Sequence, residues 1–121
     1  MIILDTNVVI YFLQGVSEVV KWFDKQRKKE HFAISTMSVV ELLGYTKATA
    51  QEIFLIERWL KTILVVDVDM AIAREAAYTR QQYGLTAIDS VVVATAIVLN
   101  GKLATRDKDC ARVKEVKVLK V

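Results

Sequence analysis

The side chains that could do chemistry in this sequence are mainly carboxylates. The 121 residues include 14 Asp and Glu but one cysteine and one histidine. A lone Cys110 and a lone His31 exclude a disulfide framework within one chain, a multi-cysteine zinc site and a histidine-rich metal site. Any chemistry would therefore depend mostly on carboxylates, hydroxyls, amides and cationic side chains.

Two of the acids follow apolar runs that are typical of buried strands. Asp5 comes directly after Met1–Leu4, and Asp107 comes two residues after Leu103–Thr105. In open α/β sheets, ligands bind beyond the carboxyl ends of the strands. The positions of Asp5 and Asp107 therefore place both at the edge where a ligand would bind.

Two further acids interrupt helical patterns. Glu41 lies about a turn and a half into the helix predicted after the strand Phe32–Ser35. Asp89 follows Ile88 at the start of an otherwise apolar helix. Because carboxylates on apolar helix faces are rarely buried without a partner, we expect Glu41 and Asp89 to point to the same edge as the first two acids.

Four acids at one edge would repel one another strongly. Two unit charges about 4 Å apart repel by about 4 kcal/mol at an effective dielectric constant of about 20. Without a nearby buried lysine, the simplest neutralising group is a hard divalent cation, Mg²⁺ or Mn²⁺. Water bound to such an ion is more acidic and can attack a phosphodiester, so the pattern predicts metal-dependent phosphodiester hydrolysis.

The elements that must position these acids alternate between strands and helices. The predicted strands are Met1–Leu4, Phe32–Ser35, Ile63–Val68, Leu103–Thr105 and Val116–Val121. Helical patterns lie between them, including Met70–Gln82, which Gly84 is placed to end, and Ile88–Asn100, which Gly101 is placed to end. This alternation predicts right-handed crossovers and a parallel sheet.

Length and hydropathy limit the class of protein. The length fits one domain over residues 1–121, and mean hydropathy is +0.32. The longest apolar candidate, Ser90–Leu99, is about half the length needed to cross a bilayer, and no basic segment precedes the first apolar run. We therefore expect a cytoplasmic protein, with the apolar excess in strands buried on both faces.

Net charge is +3, and basic residues cluster in one segment. The cluster comprises Lys21, Lys25, Arg27, Lys28 and Lys29. It has two interpretations, a solvated helix face and a surface that holds a polyanion.

Four sequence blocks, in order, resemble those of the PIN-domain ribonucleases, and among these the VapC-like toxins of prokaryotic toxin–antitoxin pairs. The blocks are Leu4-Asp5-Thr6-Asn7, Ser38-Val39-Val40-Glu41-Leu42, Ala87-Ile88-Asp89 leading into Val93-Ala94-Thr95-Ala96, and Leu103-Ala104-Thr105-Arg106-Asp107-Lys108-Asp109. Any single block is weak evidence, but the order and spacing of all four fit the family over essentially the whole chain.

The resemblance implies a metal-dependent endoribonuclease that leaves a 5′-phosphate and a 3′-hydroxyl. Asp5, Glu41 and Asp89 match the acids that hold Mg²⁺ or Mn²⁺ in the family, and Asp107 matches a fourth position occupied by Asp or Asn. The implied fold is a three-layer α/β/α, Rossmann-like arrangement with a central, mainly parallel five-stranded sheet. A homodimer and a cognate antitoxin over the active-site groove are also implied.

Several polar residues lie beside the acids in the sequence. Some match family positions, and others have more than one interpretation. Thr6 and Thr105 match hydroxyl residues beside the acids, and Asn7 matches a frequent polar neighbour. Arg106 and Lys108 have two interpretations, contacts to RNA phosphates and solvated charges. The family usually has Phe at the position of Cys110, which we interpret as a packing position.

Three alternative functions remain open at this point. A stand-alone RNA-processing PIN nuclease and an inactive PIN-like binding module share the same blocks. A haloacid-dehalogenase-like phosphatase also begins with an Asp after the first strand. That phosphatase family needs a second Asp two residues on, where this sequence has Asn7.

Overall fold

Five strands alternate with six α-helices in a computed structural model that describes residues 1–121. The strands are β1 (Ile2–Leu4), β2 (Phe32–Ser35), β3 (Leu64–Val66), β4 (Lys102–Thr105) and β5 (Lys117–Lys120). The helices are α1 (Thr6–Leu13), α2 (Ser17–Gln26), α3 (Thr36–Leu43), α4 (Ala50–Leu60), α5 (Met70–Tyr83) and α6 (Ala87–Val98), and Cys110–Arg112 forms a 3₁₀ turn. None of the six helices is long and apolar enough to span a membrane.

All five strands are parallel, in the order β3-β2-β1-β4-β5. The chain builds outward from β1 to β3 and then returns to place β4 on the other side of β1. The strand order therefore reverses between β1 and β4, which is where open α/β sheets bind ligands. Leu4 pairs with Ala104, and the Asp5 amide donates to the Ala104 carbonyl at 2.9 Å, so residues that follow β1 lie beside those that end β4.

The sheet is covered on both faces, which confirms the predicted three-layer α/β/α fold. Alternate residues of β1 point to opposite faces: Ile3 packs with α6 residues such as Val93, and Ile2 packs with α1 and α2 residues such as Val8 and Phe23. Burial on both faces explains why the strands are continuously apolar. The rigid sheet thereby fixes the edge where the candidate acids lie.

Helix α1 was not predicted, because Asp5-Thr6-Asn7 resembles a turn. Its residues Thr6–Leu13 are mostly β-branched or aromatic and have weak helix propensity. Burial of Val8 and Val9 against the sheet overrides that preference. The early helix start brings Thr6 into the first turn, directly after Asp5.

Of the two glycines predicted to end helices, Gly84 does so in the structure and Gly101 does not. Gly84 ends α5 in the left-handed conformation, with φ 67°, as predicted. After α6 the left-handed residue is Asn100, with φ 53°, rather than Gly101. Gly101 is favoured for a different reason: a Cβ there would lie 3.1 Å from the Met1 carbonyl oxygen, a tight contact that the backbone would have to relieve by a small shift.

Candidate metal centre at the carboxyl edge of the sheet

Asp5 lies at the N-cap position of α1, yet its side chain makes no cap hydrogen bond. Asp5 is 4% exposed, and its Oδ2 accepts a hydrogen bond from Thr105 Oγ1 at 2.6 Å. The usual role of an Asp after a strand is to cap the next helix. Asp5 instead directs its carboxylate across the strand-order reversal toward β4.

Asp89 and Asp107 lie close together beside Asp5. Three atoms lie within 4.8 Å of one another: one carboxylate oxygen of Asp89, one carboxylate oxygen of Asp107 and the Cys110 sulfur. Burial raises the pKa of Asp5, the Thr105 hydroxyl opposes this shift, and the charges of Asp89 and Asp107 add to it. Burial also raises the pKa of Asp89, with Thr86 opposing and Asp107 adding. The three acids therefore share one electrostatic environment.

Glu41 reaches the same edge through Thr6. The Thr6 hydroxyl donates to Glu41 Oε1 at 2.6 Å, and Thr6 is the residue after Asp5. Although it interrupts an apolar helical pattern, Glu41 is exposed and lines a groove of about 720 Å³ between α1, α3 and α4. Its position on the groove wall explains the exposure, because only the inner face of α3, with Ser38 and Leu42, packs inward.

Thr105 and Asp107 form a local hydrogen-bonded turn after β4. The Asp107 amide donates to Thr105 Oγ1 at 2.9 Å, and Asp107 Oδ1 accepts from the Asp109 amide at 2.7 Å. Because Thr105 accepts from a backbone amide, its single proton is free to point at Asp5. The turn thus fixes both the Thr105 hydroxyl and the Asp107 side chain.

No cationic side chain neutralises these acids. The molecule has five ion pairs, and none includes Asp5, Glu41, Asp89 or Asp107. Clustered carboxylates with no cation of their own fit a hard divalent ion with oxygen ligands. The donor set at this edge is therefore suited to a metal ion.

Cys110 is not part of that donor set, although its sulfur lies close by. Burial, with the charges of Asp5 and Asp89 adding, raises the pKa of the Cys110 thiol far above its usual range. A thiol that keeps its proton is a poor ligand, and Mg²⁺ and Mn²⁺ prefer oxygen. Cys110 is 1% exposed and packs in the core under α6, which agrees with its interpretation as a packing residue.

The remaining predicted polar residues are only partly directed at the acids. Asn7 is exposed in the first turn of α1. The Arg106 guanidinium lies 5.1 Å from the centre of the Tyr11 ring, and its Nε donates to the Val121 carbonyl at 3.0 Å. Lys108 is exposed between Asp107 and Asp109. Lys108 is therefore the cation with a free side chain beside the cluster.

The basic cluster around α2 lies at the other end of the sheet. Lys25, Lys28 and Lys29 are exposed at the end of α2 and in the turn that leads to the amino end of β2. The following residue, Glu30, bonds to the Met1 amino group at 2.6 Å. These lysines therefore do not surround the acids.

Two hydroxyl residues of the site were not singled out from the sequence. Ser38 is fully buried, with Oγ 2.9 Å from Thr6 Oγ1. Thr86 is the N-cap of α6 and accepts from the Asp89 amide at 3.2 Å. The available signals were a serine three positions before Glu41, about one helical turn away, and a threonine three positions before Asp89.

Comparisons with known proteins agree with this geometry. The PIN domain family model matches residues 2–116. Ribonuclease VapC10 from Mycobacterium tuberculosis is 33% identical over 111 residues, which cover 87% of this chain and 81% of the relative.

Two solved structures have the same fold over almost all of their chains. A toxin–antitoxin complex from Klebsiella pneumoniae contains a chain with a TM-score of 0.85 and 25% identity, covering 98% of this chain and 96% of that one. VapBC2 from Rickettsia felis, bound to a DNA fragment from its promoter, gives a TM-score of 0.86 at 19% identity, covering 100% and 99%. The second likeness concerns the fold alone.

Proposed function

The chain belongs to the PIN domain family, and from that premise we propose that it is a metal-dependent endoribonuclease, the toxin of a toxin–antitoxin pair. The observation that supports this most strongly is the close pair of Asp89 and Asp107, whose charges act on the buried Asp5 and which forms no ion pair with a cation of the chain. The similarity to a protein named as a ribonuclease supports RNA as the substrate. All four predicted blocks contribute residues to the same edge of the sheet.

We assign Asp5, Glu41, Asp89 and Asp107 as the residues that hold the metal, Mg²⁺ or Mn²⁺. When bound, such an ion lowers the pKa of a water molecule and neutralises charge on phosphoryl oxygens. The protein's part is to hold the carboxylates together and to orient them. Raised pKa values of Asp5 and Asp89 make protons compete with the metal at these two residues.

Neighbouring hydroxyls orient the acids. Thr105 holds one oxygen of Asp5, and Thr6 holds one oxygen of Glu41, so each carboxylate keeps its second oxygen for a ligand. Hydrogen bonds of this kind fix the direction of a metal-binding side chain. Lys108, exposed beside Asp107, is placed to attract an RNA phosphate by charge.

The groove next to Glu41 supports binding of an antitoxin segment. It lies between α1, α3 and α4, and its apolar lining includes Ile10, Leu42 and Leu55. A polypeptide with apolar side chains that fill this groove would also cover Glu41. In this way the antitoxin would block access to the acids.

Cleavage of single-stranded RNA with Mn²⁺ tests the enzymatic proposal. We expect the wild type to cut RNA, EDTA to stop it, and Asp89→Asn to reduce the rate by more than about a hundredfold, since even changes to residues that hydrogen-bond to metal ligands cost about 10- to 100-fold. Asp67→Asn is the matched control, because Asp67 is an exposed acid that follows β3 at the same edge. Cleavage that persists in EDTA, or in Asp89→Asn, would contradict the proposal.

A pair of charge insertions on α4 tests the antitoxin groove. Leu55→Lys places a charge in the groove, whereas Phe54→Lys places one on an exposed residue outside it. We expect Leu55→Lys to weaken antitoxin binding while RNA cleavage is kept, and Phe54→Lys to change neither. Equal antitoxin affinity for the two variants would place the interface elsewhere.

The predicted homodimer remains a proposal. Large apolar side chains on α5, Met70 and Tyr78, are 67% and 51% exposed, which is a surface suited to association. Analytical ultracentrifugation of the purified protein measures this directly. Sedimentation as a monomer at all concentrations would exclude the dimer.

A further inference from the structure

Ser38 is a fully buried serine whose hydroxyl has one hydrogen-bond partner. Its Oγ lies 2.9 Å from Thr6 Oγ1, and Thr6 Oγ1 lies 2.6 Å from Glu41 Oε1. No backbone carbonyl of α3 accepts from Ser38, although serine often bonds in that way within helices. The Ser38 hydroxyl is therefore committed to Thr6.

Counting protons fixes the direction of these two hydrogen bonds. A hydroxyl has one proton to donate, and an ionised carboxylate only accepts. Thr6 therefore donates to Glu41, and Ser38 must donate to Thr6. Hydrogen bonds in such a chain strengthen one another, so the Ser38 proton helps to hold the Thr6 proton on Glu41.

We infer that Ser38 is a positioning residue for metal binding, acting on Glu41 through Thr6. This inference rests on the proposed metal-dependent function. Glu41 is exposed and long, so without a fixed partner its carboxylate would sample many rotamers. With Oε1 held by Thr6, the other oxygen is presented in one direction. The same contact ties α3 to α1, which follows Asp5.

Thr105 offers an internal comparison for this arrangement. Thr105 donates to Asp5, and its own oxygen accepts from the backbone amide of Asp107. Both site hydroxyls thus receive one hydrogen bond and pass one to a carboxylate. The donor behind Thr105 is backbone, whereas the donor behind Thr6 is the Ser38 side chain, which a substitution can remove.

Mn²⁺ affinity, measured by electron paramagnetic resonance, tests the inference without relying on activity. We expect Ser38→Ala to weaken Mn²⁺ binding by about tenfold, at the lower end of the effects known for residues that orient metal ligands through hydrogen bonds. Thr95→Val is the matched control, because Thr95 is also fully buried but donates to the Val91 carbonyl. Thr95 lies six residues after Asp89 on the same helix, α6. It should leave Mn²⁺ affinity unchanged.

A double-mutant cycle separates positioning from a general structural role. If Ser38 acts through Thr6, then Ser38→Ala adds nothing to the loss of Mn²⁺ affinity in Thr6→Val. Additive losses would overturn the inference. Restored affinity in Ser38→Thr, which keeps the hydroxyl, is expected, and melting curves establish that each variant is folded.

Measurements on the wild type and on one further variant distinguish a failure of the proposed function from a failure of the role assigned to Ser38. Ser38→Cys retains most of the volume but only a weak donor, so it takes the place of Ser38→Ala if the alanine variant does not fold. Wild-type protein that neither binds Mn²⁺ nor cuts RNA would overturn the proposed function and this inference together. Wild-type protein that does both, beside Ser38 variants of equal Mn²⁺ affinity, would overturn only the role of Ser38.

Discussion

The two ends of the paired strands β1 and β4 both have acids, but only one end supplies cations to neutralise them. At the amino end, Glu30 bonds to the Met1 amino group and to Lys102. These partners, Lys102 first, lower the pKa of Glu30 to about 2. At the carboxyl end, burial and neighbouring acids raise the pKa of Asp5.

The opposite pKa shifts of Glu30 and Asp5 show which end has its counter-charges within the protein. The amino-end acid has its counter-charges from the same chain and needs nothing else. The carboxyl-end acids have hydroxyl and amide donors but no counter-charge, so their charged form is disfavoured until a cation binds. The amino end of these strands therefore has a structural ion pair, whereas the carboxyl end, only a few residues away, has a site that depends on an external ion.

The largest expected effect is that of metal on stability at the carboxyl end. A ligand at 100 times its Kd stabilises the folded state by about 2.7 kcal/mol. We therefore expect Mn²⁺ to raise the melting temperature of the wild type by several degrees, measured by differential scanning calorimetry. Asp5→Asn should lose this shift and Glu30→Gln should keep it. An equal shift in both variants would remove the distinction between the two ends.

The second prediction concerns the protein without metal, in which the two acids should have opposite effects. Burial disfavours the Asp5 charge, so Asp5→Asn should raise the melting temperature in EDTA. The charged form of Glu30 is stabilised by Lys102 and the Met1 amino group, so Glu30→Gln should lower the melting temperature. Both changes should be smaller than the shift with metal. Destabilisation by Asp5→Asn in EDTA would contradict the charge balance described for this end.

The third prediction, with the smallest effect, concerns pH. The pKa of Glu30 is lowered from 4.5 to about 2, so its stabilising contribution is present above pH 4.5 and is lost as pH falls toward 2. Asp5, with a raised pKa, binds a proton more readily when folded and gains relative stability as pH falls. In EDTA, Glu30→Gln should therefore melt with a weaker dependence on pH in this window. An unchanged pH profile would show that Glu30 is not responsible.

Local sequence patterns predicted the five strands, and they also predicted that Asp5, Asp89 and Asp107 lie at one edge of the sheet. Short apolar runs followed by Asp5 and, two residues on, by Asp107 were sufficient, because the carboxyl ends of parallel strands meet at one edge. Asp89 was found because a charge in an apolar helix is conspicuous. The edge strand β5 also follows from a local signal, whereas the packing role of Cys110 was implied by the family resemblance.

Long-range pairings were beyond the sequence. Glu30 and Lys102 are 72 residues apart, and nothing local marks them as partners. The exposure of Glu41 depends on which face of α3 meets the sheet. Helix α1 forms because tertiary burial outweighs the preferences of its β-branched residues. Ser38 becomes meaningful only once Thr6 is known to lie beside it.

Anomalous diffraction from crystals of the wild type soaked in MnCl₂ tests the central claim most directly. The account predicts a manganese peak among the carboxylates of Asp5, Asp89 and Asp107, and none beside Glu30. Crystals of Asp89→Asn treated in the same way should have no peak at either end. Wild-type crystals without a peak at the carboxyl edge, or with one at Glu30 instead, would contradict it.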